Sequence, residues 1–290
     1  PVISDCKVYD VSLTGYKVSC KVTDNSYVDR VQFPTWTTYN GQDDIAAGWE
    51  VNSAASGVRD GDTFTYEVKI SDHNNESGTY NTHIYAYDKY GNCSSTSVDA
   101  VEIPAVTTKL GDDFYAKIKN SHAGTVLTKV IFDSDSEWDA RFMEDQGNRD
   151  SVWHFVRNKG EDTYTIYCDG DEGLALDVCD GKDVDKRNIR VWTVNGSIAE
   201  KWYIRGTEGK YYLQAACSKT RVLDTPGGNG GTQSAQLYVY NSGEGPAMSI
   251  IKVNPTLEKL SEKKVVASGN YNGHYYQVFD QSMNWSDAKL

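Results

Sequence analysis

Three stretches of this chain repeat one another, and no other feature restricts its fold as severely. Gly124-Thr-Val-Leu-Thr128, Gly173-Leu-Ala-Leu-Asp177 and Thr220-Arg-Val-Leu-Asp224 superpose with their last residues 49 and 47 positions apart. Each is followed 14 or 15 residues on by an aromatic (Phe142, Trp192, Tyr238) and 25 or 26 residues on by a large apolar residue (Trp153, Trp202, Ile250). A repeat of this period marks a supersecondary unit that cannot bury its apolar face alone. Three four-stranded units around a pseudo-threefold axis close a barrel with a shared core and leave no open edge. On that reading Trp153, Trp202 and Ile250 are core residues, as are Leu176, Val178, Ile189 and Leu223. The middle copy, Leu174 to Ile204, is the best preserved.

The rest of the chain also reads as all-β. Tyr contributes 20 residues, Trp 7 and Gly 25, a mixture that favours strands joined by turns. With 290 residues there is room for two domains, each with its own core. Across residues 1–104, period-2 apolarity predicts strands over Val2 to Tyr9, Gly15 to Val22, Val28 to Phe33, Thr63 to Ile70, Tyr80 to Tyr87 and Ser97 to Ile103. So many short strands in that length point to an immunoglobulin-like β-sandwich. FPTWTTYNGQDD (Phe33 to Asp44), with Trp49 nearby, and SDHNNESGTYNTHIYAYDKYGN (Ser71 to Asn92) resemble the immunoglobulin-like repeats of Gram-positive surface proteins and cell-wall hydrolases, of the group B streptococcal Bsp-like kind. A linker, 105–110, follows, and the repeat occupies 111–253.

Within the repeat, Glu200-Lys201-Trp202 stands where the ricin-type β-trefoil lectins carry a Gln-x-Trp motif, and the whole of 111–253 resembles that family. The resemblance implies glycan binding: the repeat's Asp accepts hydrogen bonds from two sugar hydroxyls while the later aromatic stacks on the pyranose. The middle copy keeps Asp177 and Trp192, with Arg190 two residues before the aromatic. The third keeps Asp224, Gln236 and Tyr238. Thr128 and Phe142 in the first copy lack the carboxylate, so that copy is read as non-binding. Ala199 and Ala247 replace the family's Asn before its Gln-x-Trp, and Asn195 and Asn241, in the turns after the aromatics, are candidate substitutes.

Asp72, His73, Asn74 and Glu76 could hold a cation, but Asp and Asn also bond to their own backbone, and the calcium-loop spacing is missing. A polar connection is therefore expected there, with no metal ion and no cofactor. His83, alternating with apolar neighbours, is read as structural. Asp43, Asp44 and Glu50, near Trp36 and Trp49, could form a sugar-binding face or a carboxylate pair, but a domain of this kind is expected to act as a spacer. Six cysteines, three in each half, imply at most one disulfide per domain and at least one free thiol in each. After a charged linker, 254–268, residues 269–290 resemble the truncated start of a C-type lectin-like domain: a Tyr-rich strand leading to a helix at Trp285-Ser-Asp-Ala. That tail lacks a core of its own and is expected to be disordered or to lie against the trefoil.

A net charge of −12 argues against nucleic acid and against an anionic lipid surface as partners. No apolar run is long enough to insert in a membrane as a helix, and no basic leader opens the chain. The chain begins at Pro1 without a Met and is read as a monomeric piece of a longer, extracellular or cell-wall protein. G-x-S-x-G, H-E-x-x-H and a Cys/His pair in suggestive context are all missing, so no catalysis is expected. The leading expectation is a non-catalytic carbohydrate-binding fragment of a multi-modular bacterial protein. The alternatives are an accessory targeting module of a cell-wall or glycan-degrading enzyme, or an inert stalk.

Overall fold

The computed structural model describes residues 1–132, 137–169, 171–226, 234–240, 246–253, 265–271 and 274–279. The chain divides into two compact units, Pro1–Ala105 with Val239–Ser242, and Val106–Tyr238 with Gly243–Leu290. Among the described residues the regular structure is strand and short 3-10 turns, and no helix is long and apolar enough to cross a membrane.

In the first unit the strands are β1 (Val2–Ser12), β2 (Gly15–Thr23), β3 (Val28–Gln32), β4 (Thr35–Thr37), β5 (Val58–Asp60), β6 (Thr63–Lys69), β7 (Gly78–Asp88), β8 (Cys93–Ser97) and β9 (Val101–Ile103). They form two antiparallel sheets, β1-β2-β6-β5 and a second in which β7 pairs with β3, β4, β8 and β9. Alternation on β7 buries Tyr80, Thr82, Ile84 and Ala86. These meet Val18, Cys20 and Val22 of β2 and Phe64 and Val68 of β6 in one core. A hydrogen bond of 2.7 Å between the hydroxyls of Tyr16 and Thr82 crosses that core. Gly15 is fixed by its surroundings: φ is +149° and a Cβ would lie 1.9 Å from the Val68 carbonyl oxygen.

Two strands, β4 and β5, are missing from the sequence expectation because three residues show no periodicity. The strand expected over Ser97 to Ile103 shrinks to β9, while β8, which ends at Ser97, lies before the expected span; the two pair with different ends of β7. His83 faces away from the core and packs edge-on against Trp36 at 4.8 Å.

The second unit repeats one four-strand plan three times. Its strands are β10 (Asp113–Asn120), β11 (Val126–Phe132), β12 (Glu137–Met143) and β13 (Trp153–Arg157); then β14 (Thr163–Cys168), β15 (Asp171–Val178), β16 (Arg187–Thr193) and β17 (Lys201–Thr207); then β18 (Lys210–Ala215), β19 (Arg221–Asp224), β20 (Gln236–Val239) and β21 (Met248–Val253). The first and last strands of each copy close a six-stranded barrel, β10-β13-β14-β17-β18-β21 and back to β10. The middle strands cap it. β12 pairs with β16, β16 with β20, and Ala235 N–H donates to the Ala140 carbonyl at 2.8 Å, closing a triangle. This is the β-trefoil arrangement, and it leaves the barrel without an edge.

Leu176, Val178, Ile189 and Leu223 are fully buried, as are Trp153 and Trp202. The two indoles also donate Nε1–H to the carbonyls of Leu127 (2.9 Å) and Leu176 (3.0 Å). Ile250 departs from the expected core role. Its register matches theirs, since Ile250 pairs with Ile118 as Trp153 does with Cys168 and Trp202 with Ala215. Yet Ile250 is only partly buried, and Met248, fully buried, fills the core beside it. Toward its own copy's first strand it is Met248 that pairs with Tyr211, as Trp202 pairs with Tyr164, so the core place falls to the residue two positions earlier.

Part of the stretch read as linker 105–110 belongs to this unit: Val106 bridges Arg205, and Thr107 N–H donates to the Ile204 carbonyl at 2.8 Å. Likewise β22 (Val265–Tyr271) opens inside the stretch read as linker 254–268 and pairs with β23 (His274–Phe279). The tail therefore carries a hairpin, whose β-branched and aromatic residues favour strands. Its expected helix at Trp285 lies outside the described residues. All six cysteines are free thiols.

Candidate functional site

The hairpin β15/β16 sets Asp177 directly opposite Arg190. Strand alternation puts Leu176 and Val178 in the core, and Asp177 rests above it, 3% exposed. Arg190 Nε donates to Asp177 Oδ1 at 3.0 Å, and the same guanidinium lies 3.8 Å from the centroid of Trp192. Burial pushes the Asp177 carboxyl above the usual carboxylate range, and Arg190 opposes the rise. Trp192 is 37% exposed. Carboxylate, guanidinium and indole form one continuous wall of a cleft of about 310 Å³, completed by Asp180, Gly181, Asn195, Ser197, Ile198 and Ala199.

The far wall of the cleft is a turn that the sequence did not explain. Glu200, 1% exposed, accepts the backbone N–H groups of Asn195 at 2.8 Å and Gly196 at 3.0 Å. Asn195 Oδ1 takes the Ser197 N–H at 2.9 Å. Asn195 thus lines the cleft, but its carbonyl oxygen is committed to the turn. Gly196, at φ +76°, supplies the left-handed conformation that turn needs. Glu200 was legible only as a Gln replacement before Trp202. The signal that finds it is an acidic residue four positions after an Asn-Gly pair, close enough to bond that turn.

In the third copy Asp224 is 4% exposed and accepts the Thr225 N–H at 2.7 Å. Burial pushes its carboxyl up to about 6. Tyr238 Oη donates to Gln236 Oε1 at 3.2 Å, and both side chains are half-buried. Asn241 lies outside the described residues.

The first copy requires a correction. Register places Arg141 opposite Thr128 as it places Arg190 opposite Asp177. The residue equivalent to Trp192 is therefore Met143, not Phe142. Phe142, with 0% exposure, is core like Val191 and Leu237. Counting 14 residues instead of 15 moves a side chain to the opposite face of a strand. Asp139, Asn188 and Ser234, also unforeseen, meet where the three capping strands converge. The Asp139 carboxylate, 1% exposed, accepts from Asn188 Nδ2 (3.1 Å), Ser234 Oγ (2.6 Å) and Arg141 Nε (3.0 Å).

The middle cleft offers what a polyhydroxylated, partly apolar molecule needs: an exposed aromatic surface, a buried acceptor and a cationic donor on one wall.

Residues 6–101 match the family model described as GBS Bsp-like repeat, and residues 149–240 match that described as ricin-type beta-trefoil lectin domain-like. No curated protein matches the chain. Among solved structures the chain is similar to the designed threefold-symmetric protein ThreeFoil (20% identity, covering 48% of this chain and 99% of that one, TM-score 0.44). It is also similar to the Rhizoctonia solani agglutinin (16%, 48% and 95%, TM-score 0.42) and to the Macrolepiota procera ricin B-like lectin in complex with lactose (20%, 48% and 95%, TM-score 0.39).

Proposed function

We propose that this chain binds carbohydrate without catalysis, through the middle copy of its trefoil and more weakly through the third. One observation carries the reading: the Asp177–Arg190–Trp192 chain lines an open cleft and presents acceptor, donor and aromatic surface together. Arg190 lies over the indole and holds the Asp177 carboxylate, so a sugar packed against the exposed surface of Trp192 meets the guanidinium first and reaches the carboxylate beside it. Hydroxyls buried without partners are costly, so that pairing selects the ligand. The match of residues 149–240 to a lectin family model supports the same reading.

In this proposal residues 1–104 form an immunoglobulin-like sandwich serving as spacer, 111–253 the lectin trefoil, and 269–290 the start of a further, C-type lectin-like module. The match of 6–101 to a Bsp-like repeat supports a place at the surface or outside the cell, in a multi-modular bacterial protein. Each sugar site is shallow, so single-site affinity is weak and retention comes from two sites acting together.

The test is retention of the chain on a glycan array. Asp177→Ala and Asp224→Ala each lower it, and the double variant abolishes it. A double variant that binds as well as the parent chain removes both sites from consideration.

A further inference from the structure

Among the described residues, six side-chain atoms are buried without a hydrogen-bond partner, and half of them belong to Asp43, its neighbour Asp44 and His73 (Asp43 Oδ1, Asp44 Oδ1 and His73 Nδ1). Such atoms are costly to keep, and a concentration of them asks for a missing partner. The backbone brings the groups together. A 3-10 turn, Ile70–His73, ends at Asn74 in the left-handed conformation, and Glu76 N–H then donates to the His73 carbonyl at 2.9 Å. That reversal sets a Glu76 carboxylate oxygen 3.3 Å from His73 Nδ1. Asp43, from the loop after β4, approaches the other ring nitrogen to 3.5 Å. One ligand atom from each of Asp43, His73 and Glu76 can be chosen so that all lie within 4.8 Å of one another.

His73 is 6% exposed, so its ring nitrogens have little water to turn to. Neither carboxylate approaches it at the distance of about 2.8 Å expected of a charge-assisted hydrogen bond. Two ligands on a tetrahedral ion with bonds of about 2.1 Å sit roughly 3.4 Å apart, close to the Nδ1–Glu76 spacing; one ion takes a single imidazole nitrogen, so Asp43, which lies beside Nε2, joins it at Nδ1 by rotating its side chain, within the 4.8 Å spread of the three ligand atoms. Glu76 is also held from outside: Thr37 Oγ1 donates to its carboxylate at 2.7 Å, and Tyr80 Oη to its carbonyl at 2.9 Å. An acidic residue fixed in this way is a prepared ligand.

We propose that Asp43, His73 and Glu76 bind a divalent first-row transition-metal ion, with zinc the best fit. One imidazole and two carboxylates suit zinc, whereas calcium and magnesium take oxygen ligands throughout. This reverses the expectation of no metal drawn from the sequence. It also changes the ligand set, because Asp72 and Asn74 point to solvent and Asp43 replaces them from a distant loop.

The test uses the whole chain, stripped with a chelator and titrated with zinc chloride by calorimetry and with cobalt(II) by visible absorption. The expected result is one ion per chain at micromolar affinity or tighter, with the absorption of a tetrahedral centre. Asp43→Asn and Glu76→Gln preserve side-chain size, and each weakens binding by about tenfold or more. Circular dichroism confirms that both variants fold. His154, which lies 2.7 Å from Asp113 and 3.4 Å from Glu172, is the competing imidazole, and His154→Gln leaves binding unchanged. Binding weaker than micromolar in the parent chain, equal binding in both carboxamide variants, or loss in His154→Gln overturns the proposal.

Discussion

Burial pushes the Asp224 carboxyl up to about 6, against about 3.9 in an unfolded chain. The folded chain therefore holds this proton to higher pH than the unfolded one, and stability falls as pH rises from about 4 to about 6. The full effect is at most about 3 kcal/mol. Asp224→Asn keeps an acceptor for the Thr225 N–H and removes the buried charge. It stabilises the chain at pH 7 by about 1–2 kcal/mol and by nothing below about pH 4, measured by denaturant unfolding at the two pH values. The same proton governs retention: in the Asp177→Ala background, glycan binding through the third copy weakens as pH falls below about 6, because the acid form donates where the carboxylate accepted. A flat profile there separates Asp224 from the ligand. That Arg190 and Trp192 share a strand face was legible, because a spacing of two puts alternate residues on one side; that Arg190 also holds Asp177 was not, since it depends on the register of two strands. Met143 was not, because the aromatic Phe142 beside it imitates the motif from the wrong face.

Elements answer to the closing tryptophans. Trp202 Nε1–H holds the Leu176 carbonyl, one residue before Asp177, so the indole fixes the strand that carries the acceptor. Trp202→Phe loses that bond and some buried area, costing about 2–4 kcal/mol, and it lowers glycan retention through the middle copy. Trp153→Phe breaks the equivalent bond to Leu127, costs a similar amount, and leaves retention unchanged. Thermal unfolding and array binding of the two variants separate the roles. The barrel itself was legible because its repeat states how many times the plan recurs and where each copy closes. The triangle around Asp139 was not, since its members are contributed by three copies and become neighbours only when the cap assembles. Asp139→Ala strips Asn188, Ser234 and Arg141 of a shared acceptor and destabilises the trefoil by about 3 kcal/mol, read as a shift of the denaturant midpoint without a change in slope.

The described residues form two apolar cores that share no residue, one between the sheets of the first unit and one inside the trefoil. Each is of domain size, and a core of that kind unfolds as its own cooperative step. Two transitions are therefore expected on heating. Tryptophan fluorescence tells them apart, because Trp153 and Trp202 are buried in the trefoil core while Trp36 and Trp49 belong to the first unit. Ligands sharpen the assignment, since a ligand stabilises only the unit whose folded state it binds. Zinc raises the transition of the first unit and leaves that of the trefoil in place; a retained glycan does the reverse, and Asp139→Ala lowers the trefoil step alone. A single transition that zinc, glycan and Asp139→Ala all move together would mean that the units fold as one body, and the proposed separation of a zinc site in the first unit from a glycan site in the trefoil would fail with it.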